Sequence, residues 1–216
     1  MERIVIPGEY LLSADGYISG YGTTVKENNI ISTVYGTLCI INKLVTVNYE
    51  KYKGDVGDVV VGRVERIVAN KWILDLNGKE GILNLSGINL PGGVQRRKLE
   101  SDEMRMKEFF DEGDVVVGEV QSAKNNIVLH TRNSMYRKLR FGILKKISLP
   151  IKKFGKYFFT NERVNVIVGK NGFIFIEIKN NEGRKFISKI NNYLDDCEKN
   201  KNLIEESEIN KILNSE

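Results

Sequence analysis

The string GDVVVGRV at 57–64 returns almost unchanged as GDVVVGEV at 113–120, 56 residues later. Two copies are too few for a solenoid, whose repeats must stack to bury a common core. They read instead as two equivalent strand starts. Gly-Asp turns the chain, and the valines that follow suit a pleated, half-buried surface. Three further strand-like strings accompany them: KWILDL at 71–76, GILNLS at 81–86 and NIVLHTR at 126–132. Five strands in about 75 residues match the count and size of a small Greek-key OB barrel. Between the third and fourth lies LPGGVQRRKLESDEMRMKEFF, residues 90–110, whose second half has helical spacing. That spacing predicts Met106, Phe109 and Phe110 as a plug for one barrel end.

On either side the pattern differs. Before the barrel, residues 30–34, 37–41 and 44–47 are short, rich in β-branched residues and separated by turn signals, so residues 1–53 read as a β domain. Gly20 and Gly22 mark a tight bend within it. The barrel is expected over 54–133. Beyond it, strand-like FGILKKI (141–147), VNVIV (164–168) and FIFIEI (173–178) give way to a helical face. Phe186, Ile187, Ile190, Tyr193, Leu194 and Cys197 recur at spacings of one, three and four. A second short helix is expected to use Ile204, Ile209, Ile212 and Leu213. The expected fold is therefore mainly β with a C-terminal α+β part at 134–216.

Catalytic constellations are missing from this reading. Nucleophilic and metal-assisted mechanisms need clustered His, Cys or carboxylates. The chain has one histidine, His130, and two distant cysteines, Cys39 and Cys197, with no zinc spacing. It has no G-x-S-x-G elbow and no phosphate-binding G-x-x-x-x-G-K-[ST] loop. Asp58 and Asp114 sit in the repeated Gly-Asp starts, where a turn explains them, and Asp195 and Asp196 fall on the polar side of a helix. No catalytic residue, metal or cofactor is expected. Nor is there a signal-like stretch or an apolar run of about 18 residues, so an intracellular protein without membrane attachment is expected.

Net charge is +5 with a pI near 9.0, which suits a polyanion without requiring one. OB barrels hold single strands with stacking aromatics and a cationic groove. Trp72 shares a strand face with Leu74 and Leu76, which favours the core over a stacking platform. The outward positions on these strands are Ile73 and Asn84. Candidate phosphate contacts are Arg63, Lys71, His130 and Arg132, with Arg66 and Lys79 nearby. The Arg96, Arg97, Lys98 run after the LPGG turn reads equally as an RNA contact or a solvated loop. GKNG at 169–172 has the form of the G-x-x-G clamp of KH domains. Its flanks are strands, however, so Gly169, Asn171 and Gly172 read as a structural hairpin turn.

The start GDVVVGRV and mid-barrel GILNLS resemble the S1-type RNA-binding domain. VIPGEYLL, GYISGYGTT, LPGGVQRRK, EGDVVVGEVQ, LHTR and VGKNGFIFI stand in the order of the S1–KH cap subunits of the RNA exosome, over roughly residues 4–195. Within that family SGYGTT and LPGG-QRR favour the branch of ribosomal RNA-processing protein 4 over that of protein 40. The resemblance implies an N-terminal β domain contacting the ring, an S1 barrel and a divergent KH domain. It implies no cofactor and no catalysis. The partners it implies are RNA, RNase PH-like ring subunits, other exosome cap subunits and an associated 3′–5′ exoribonuclease. It also implies a place in the nucleus, nucleolus and cytoplasm of a eukaryote, or the cytoplasm of an archaeon. A purely structural cap with little RNA contact is the alternative. Compared with the family the chain is short after Glu182.

Overall fold

A computed structural model describes residues 3–49, 52–88 and 105–215. The chain forms two compact units. One comprises residues 1–51, 147–150 and 191–204; the other comprises 52–146, 151–190 and 205–216.

In the first unit, β1 (Ile4–Val5), β2 (Tyr10–Ser13), β3 (Ile18–Ser19), β4 (Thr23–Lys26), β5 (Asn29–Ser32), β6 (Gly36–Ile41) and β7 (Leu44–Asn48) build two small sheets. Their orders are β1-β6-β7-β3 and β2-β5-β4. Two-residue turns make both tight hairpins. Glu27-Asn28 and Asn42-Lys43 all have positive φ, as the turn that matches strand twist demands. Val5, Leu11, Ile30, Val45 and Val47 form the core.

The second unit holds the barrel: β8 (Val59–Val68), β9 (Lys71–Asp75), β10 (Glu80–Ile88), β11 (Val115–Ser122) and β12 (Ile127–Thr131). The order β12-β10-β9-β8-β11 closes through β12–β11, leaving a five-stranded barrel. The duplicated strings are its antiparallel seam. Val60 lies opposite Gly118, and Gly62 opposite Val116. Each string's start bonds the other's end: Gly57 N–H to Val120 O at 2.9 Å, Gly113 N–H to Val64 O at 2.8 Å. Both starting glycines have φ near +90°, where side chains are disfavoured. Each following aspartate folds back, Asp58 accepting from Asp55 N–H and Asp114 from Asp111 N–H.

The short helix α1 (Met106–Phe109) brings Met106 and Phe110 into the barrel core. Trp72 is fully buried there. Its Nε1–H donates to Phe110 O at 2.8 Å, and the two rings meet edge to face. This strand face therefore points inward, as the leucine spacing predicts.

β13 (Lys138–Leu139) extends the barrel sheet beside β11. Then β14 (Gly142–Lys146), β15 (Phe158–Thr160), β16 (Val164–Val168) and β17 (Phe173–Ile178) form a sheet of order β14-β17-β16-β15. Ile167, Phe173 and Phe175 from this sheet pack with Val59, Val61 and Val117 from outside the barrel seam. Two helices follow, α2 (Gly183–Asn200) and α3 (Glu206–Asn214), with Phe186, Ile190, Leu194, Cys197, Ile209 and Leu213 buried. Ile204, expected in the second helix, is buried but precedes it.

Candidate nucleic-acid interface

Strand register sorts the candidate residues. Period two sets Lys71, Ile73 and Asp75 on the outer face of β9, opposite Trp72 and Leu74. Asp75 lies between Arg63 of β8 and Glu80 of β10. Ile73 lies between Arg66 and Ile82, and Lys71 between Val68 and Asn84. Arg63 is exposed and Lys71 half-buried, and neither makes an ion pair among the described residues. Four residues of strand separate their rows, about 13 Å at 3.3 Å each.

Ile73 differs from expectation: it is outside the barrel, yet only 3% exposed. Arg66 and Glu80, on the two strands flanking β9, form an ion pair at 2.8 Å that passes over this row. The outer position that a stacking ring would need is thus occupied by an aliphatic side chain beneath an ion pair.

His130 stands apart from Arg63 and Lys71. It is paired in register with Glu119, and its Nε2 lies 3.9 Å from that carboxylate. Tyr136 donates to the same carboxylate at 2.6 Å and its ring lies 6.1 Å from the imidazole. Burial, then the Glu119 hydrogen bond, pushes the Tyr136 phenol well above its ordinary range. Arg132 is exposed just beyond β12. Arg96, Arg97 and Lys98 lie outside the described residues.

The turn at Gly169, Asn171 and Gly172 is fixed by Gly169 N–H to Phe173 O at 2.8 Å and by Gly172 at φ +84°. The Asn171 side chain does more than turn the chain. β8 pairs with β9 only from Arg63 onward, so its edge over Val59–Gly62 has no strand beside it on that side. Here Val61 N–H donates to Asn171 Oδ1 at 3.2 Å, and Asn171 Nδ2 donates to Val61 O at 2.8 Å. Lys170 N–H adds a bond to Val59 O at 2.8 Å. One amide side chain thus completes a strand edge as an opposing residue would. A Cβ on Gly169 would stand 2.8 Å from Val61 N, so the approach needs glycine. The sequence pattern yields the turn but not its target.

Reasoning from the sequence also missed Arg137 and Glu177. The guanidinium grips the carboxylate at 2.9 and 2.6 Å, and Asn165 Nδ2 donates to it at 2.7 Å. Burial works to raise the Glu177 pKa, but the Arg137 and Asn165 hydrogen bonds outweigh it and hold the carboxyl below its ordinary value. Among the described residues no group of three or more His, Cys, Asp or Glu could hold a metal. No helix among them is long and apolar enough to cross a membrane.

A closed five-stranded barrel with this strand order, a helical plug and cations on its outer face defines an S1-type OB-barrel protein. Residues 51–122 match the family described as RRP4, S1 domain, and residues 4–41 that described as exosome complex exonuclease RRP4 N-terminal region. Exosome complex component RRP4 of Mus musculus is 36% identical over 200 residues, 88% of this chain and 68% of that protein. The fission yeast Schizosaccharomyces pombe component rrp4 is 34% identical over 85% of this chain and 57% of its own length. The archaeal component of Methanosarcina mazei is 33% identical over 84% of this chain and 71% of its own length. The chain belongs to the RRP4 family of exosome components. It spans between 57% and 71% of the length of these relatives.

Proposed function

We propose that the chain is a non-catalytic RNA-binding cap subunit of an RNA exosome. In this reading it stabilises an RNase PH-like ring and guides RNA into the ring's entrance for 3′–5′ processing and degradation by an associated exoribonuclease. Membership of a family whose relatives are named exosome components carries the reading. The outer-face cations Arg63 and Lys71 and the exposed Arg132 support RNA contact, because such side chains hold phosphates without reading sequence. His130, whose Nε2 lies 3.9 Å from Glu119, is a further candidate contact. In this scheme residues 1–53 face the ring, 54–133 bind RNA, and 134–216 are a divergent KH domain whose hairpin serves packing. The cap would work in the nucleus and cytoplasm of a eukaryote or the cytoplasm of an archaeon.

A specific observation favours the second reading, a structural cap with little RNA contact. Carboxylates offset the outer-face cations, with Glu80 on Arg66 and Asp75 beside Arg63.

Retrieval of the tagged chain from its native lysate separates the two. Ring subunits are expected with both wild type and an Arg63→Glu/Lys71→Glu variant, while only wild type protects bound RNA from digestion. Protection by neither protein favours the structural reading, and equal protection by both places the RNA contact away from Arg63 and Lys71. Absence of ring subunits from the wild-type sample overturns the cap assignment.

A further inference from the structure

Phe141 is 82% exposed, the most exposed of the large hydrophobic side chains among the described residues. It also has φ +54°, the left-handed region that bulky side chains rarely enter. Neither property helps the fold: a glycine or asparagine would sit there with less strain and expose less apolar surface.

The backbone that carries the ring is nonetheless held firmly. Phe141 O accepts from Ile178 N–H at 2.8 Å, and the next residue, Gly142, packs so close to Ile176 O that an added Cβ would lie 2.2 Å away. Upstream, Leu139 is buried and pairs with Val115, while Arg137 is clamped on Glu177 and Lys138 on Asp114. Backbone strain held in place by surrounding contacts points to use of the displayed side chain.

Charge indicates what the ring meets. Residues 120–161 contain ten Lys and Arg and no Asp or Glu, so the rest of the chain is net negative although the whole is +5. Arg137 and Lys138 are paired, but Arg140, adjacent to Phe141, is exposed and makes no ion pair among the described residues. An exposed aromatic on a firmly held backbone, next in the chain to an exposed arginine and in a segment without acids, supplies what a single strand needs: a flat face for a base and a cation for its phosphate.

We infer that Phe141 is a nucleobase-stacking platform, with Arg140 as its phosphate contact, separate from the outer face of β8–β10. The inference rests on the RNA-binding reading. It moves the aromatic contribution off the barrel, where Ile73 leaves no stacking surface, onto the connection between β13 and β14.

The test uses the full chain and a fluorescein-labelled 12-nucleotide oligoadenylate, with an abasic strand of the same length as control. Phe141→Asn tolerates the left-handed backbone and is expected to melt no lower than wild type. It should bind oligoadenylate roughly 5- to 150-fold more weakly, the range for loss of one stacked base. On the abasic strand, wild type and variant should be equal. Phe141→Trp should restore binding, and its exposed indole should be quenched by oligoadenylate. Wild-type affinity of Phe141→Asn for oligoadenylate would overturn the platform while leaving RNA binding intact. Failure of wild type to bind either strand would overturn the RNA reading itself, and the platform with it.

Discussion

Asn171 uses both ends of its side-chain amide on Val61, 110 residues earlier in the chain. It is 3% exposed, so water cannot replace either bond. Asn171→Ala leaves a buried N–H and a buried C=O without partners, at roughly 1 to 3 kcal/mol each before relaxation. The expected loss is about 2 to 4 kcal/mol, read as a lower urea midpoint. Asn171→Asp should fare no better, because it keeps the acceptor for Val61 N–H but sets a second oxygen against Val61 O. A change under about 0.5 kcal/mol, the range of ordinary surface substitutions, would show that the edge needs no partner. Trp72 presents the reverse case, a residue whose role its neighbours already reveal. Leu74 and Leu76 at period two place it inside, and the one thing hidden is its acceptor, Phe110 O, across a connection.

The same contrast holds among elements. The duplicated strings give two barrel strands away, though not that they pair with each other, because Gly-Asp followed by valines has a local cause in turn chemistry and β-branching. The amphipathic spacing of Phe186 to Cys197 similarly announces α2. β15, only Phe158–Thr160, gives no such sign, since three residues carry no measurable period. Ile73 was legible as an outer residue but not as a covered one, for its cover comes from Arg66 and Glu80 on two other strands. Arg137 and Glu177, joining β13's approach to β17, show the same limit and allow a pH prediction. The Glu177 carboxyl is held below its unfolded value, so its stabilisation is present above about pH 4.3 and is lost as pH falls through the lower folded value. Thermal melts from pH 6 to 3 should show a steeper decline for wild type than for Glu177→Gln, which is less stable at neutral pH. Parallel declines would mean that another carboxylate governs acid unfolding.

At the scale of the molecule, charge is distributed unevenly, with residues 120–161 carrying all of the positive excess. Binding that rests on such charge releases counterions, so affinity for oligoadenylate should fall linearly on a log–log plot against salt. Arg63→Glu/Lys71→Glu should flatten that slope by about 1.4, at ~0.7 for each lost single-strand phosphate contact. An unchanged slope would place those two cations away from the RNA. The Asn171 hairpin bears on the molecule in a different way. Small barrels of this kind are widely treated as cassettes that can be cut from one protein and spliced into another. Here the barrel's first strand is finished by a side chain that arrives only after residue 170, and both belong to one compact unit. A fragment ending at the barrel would carry a raw strand edge, the sort of surface on which chains polymerise. The portable piece is therefore the barrel together with the sheet that closes it, and a fragment library cut at the S1 boundary should return soluble material only from clones that run past the hairpin.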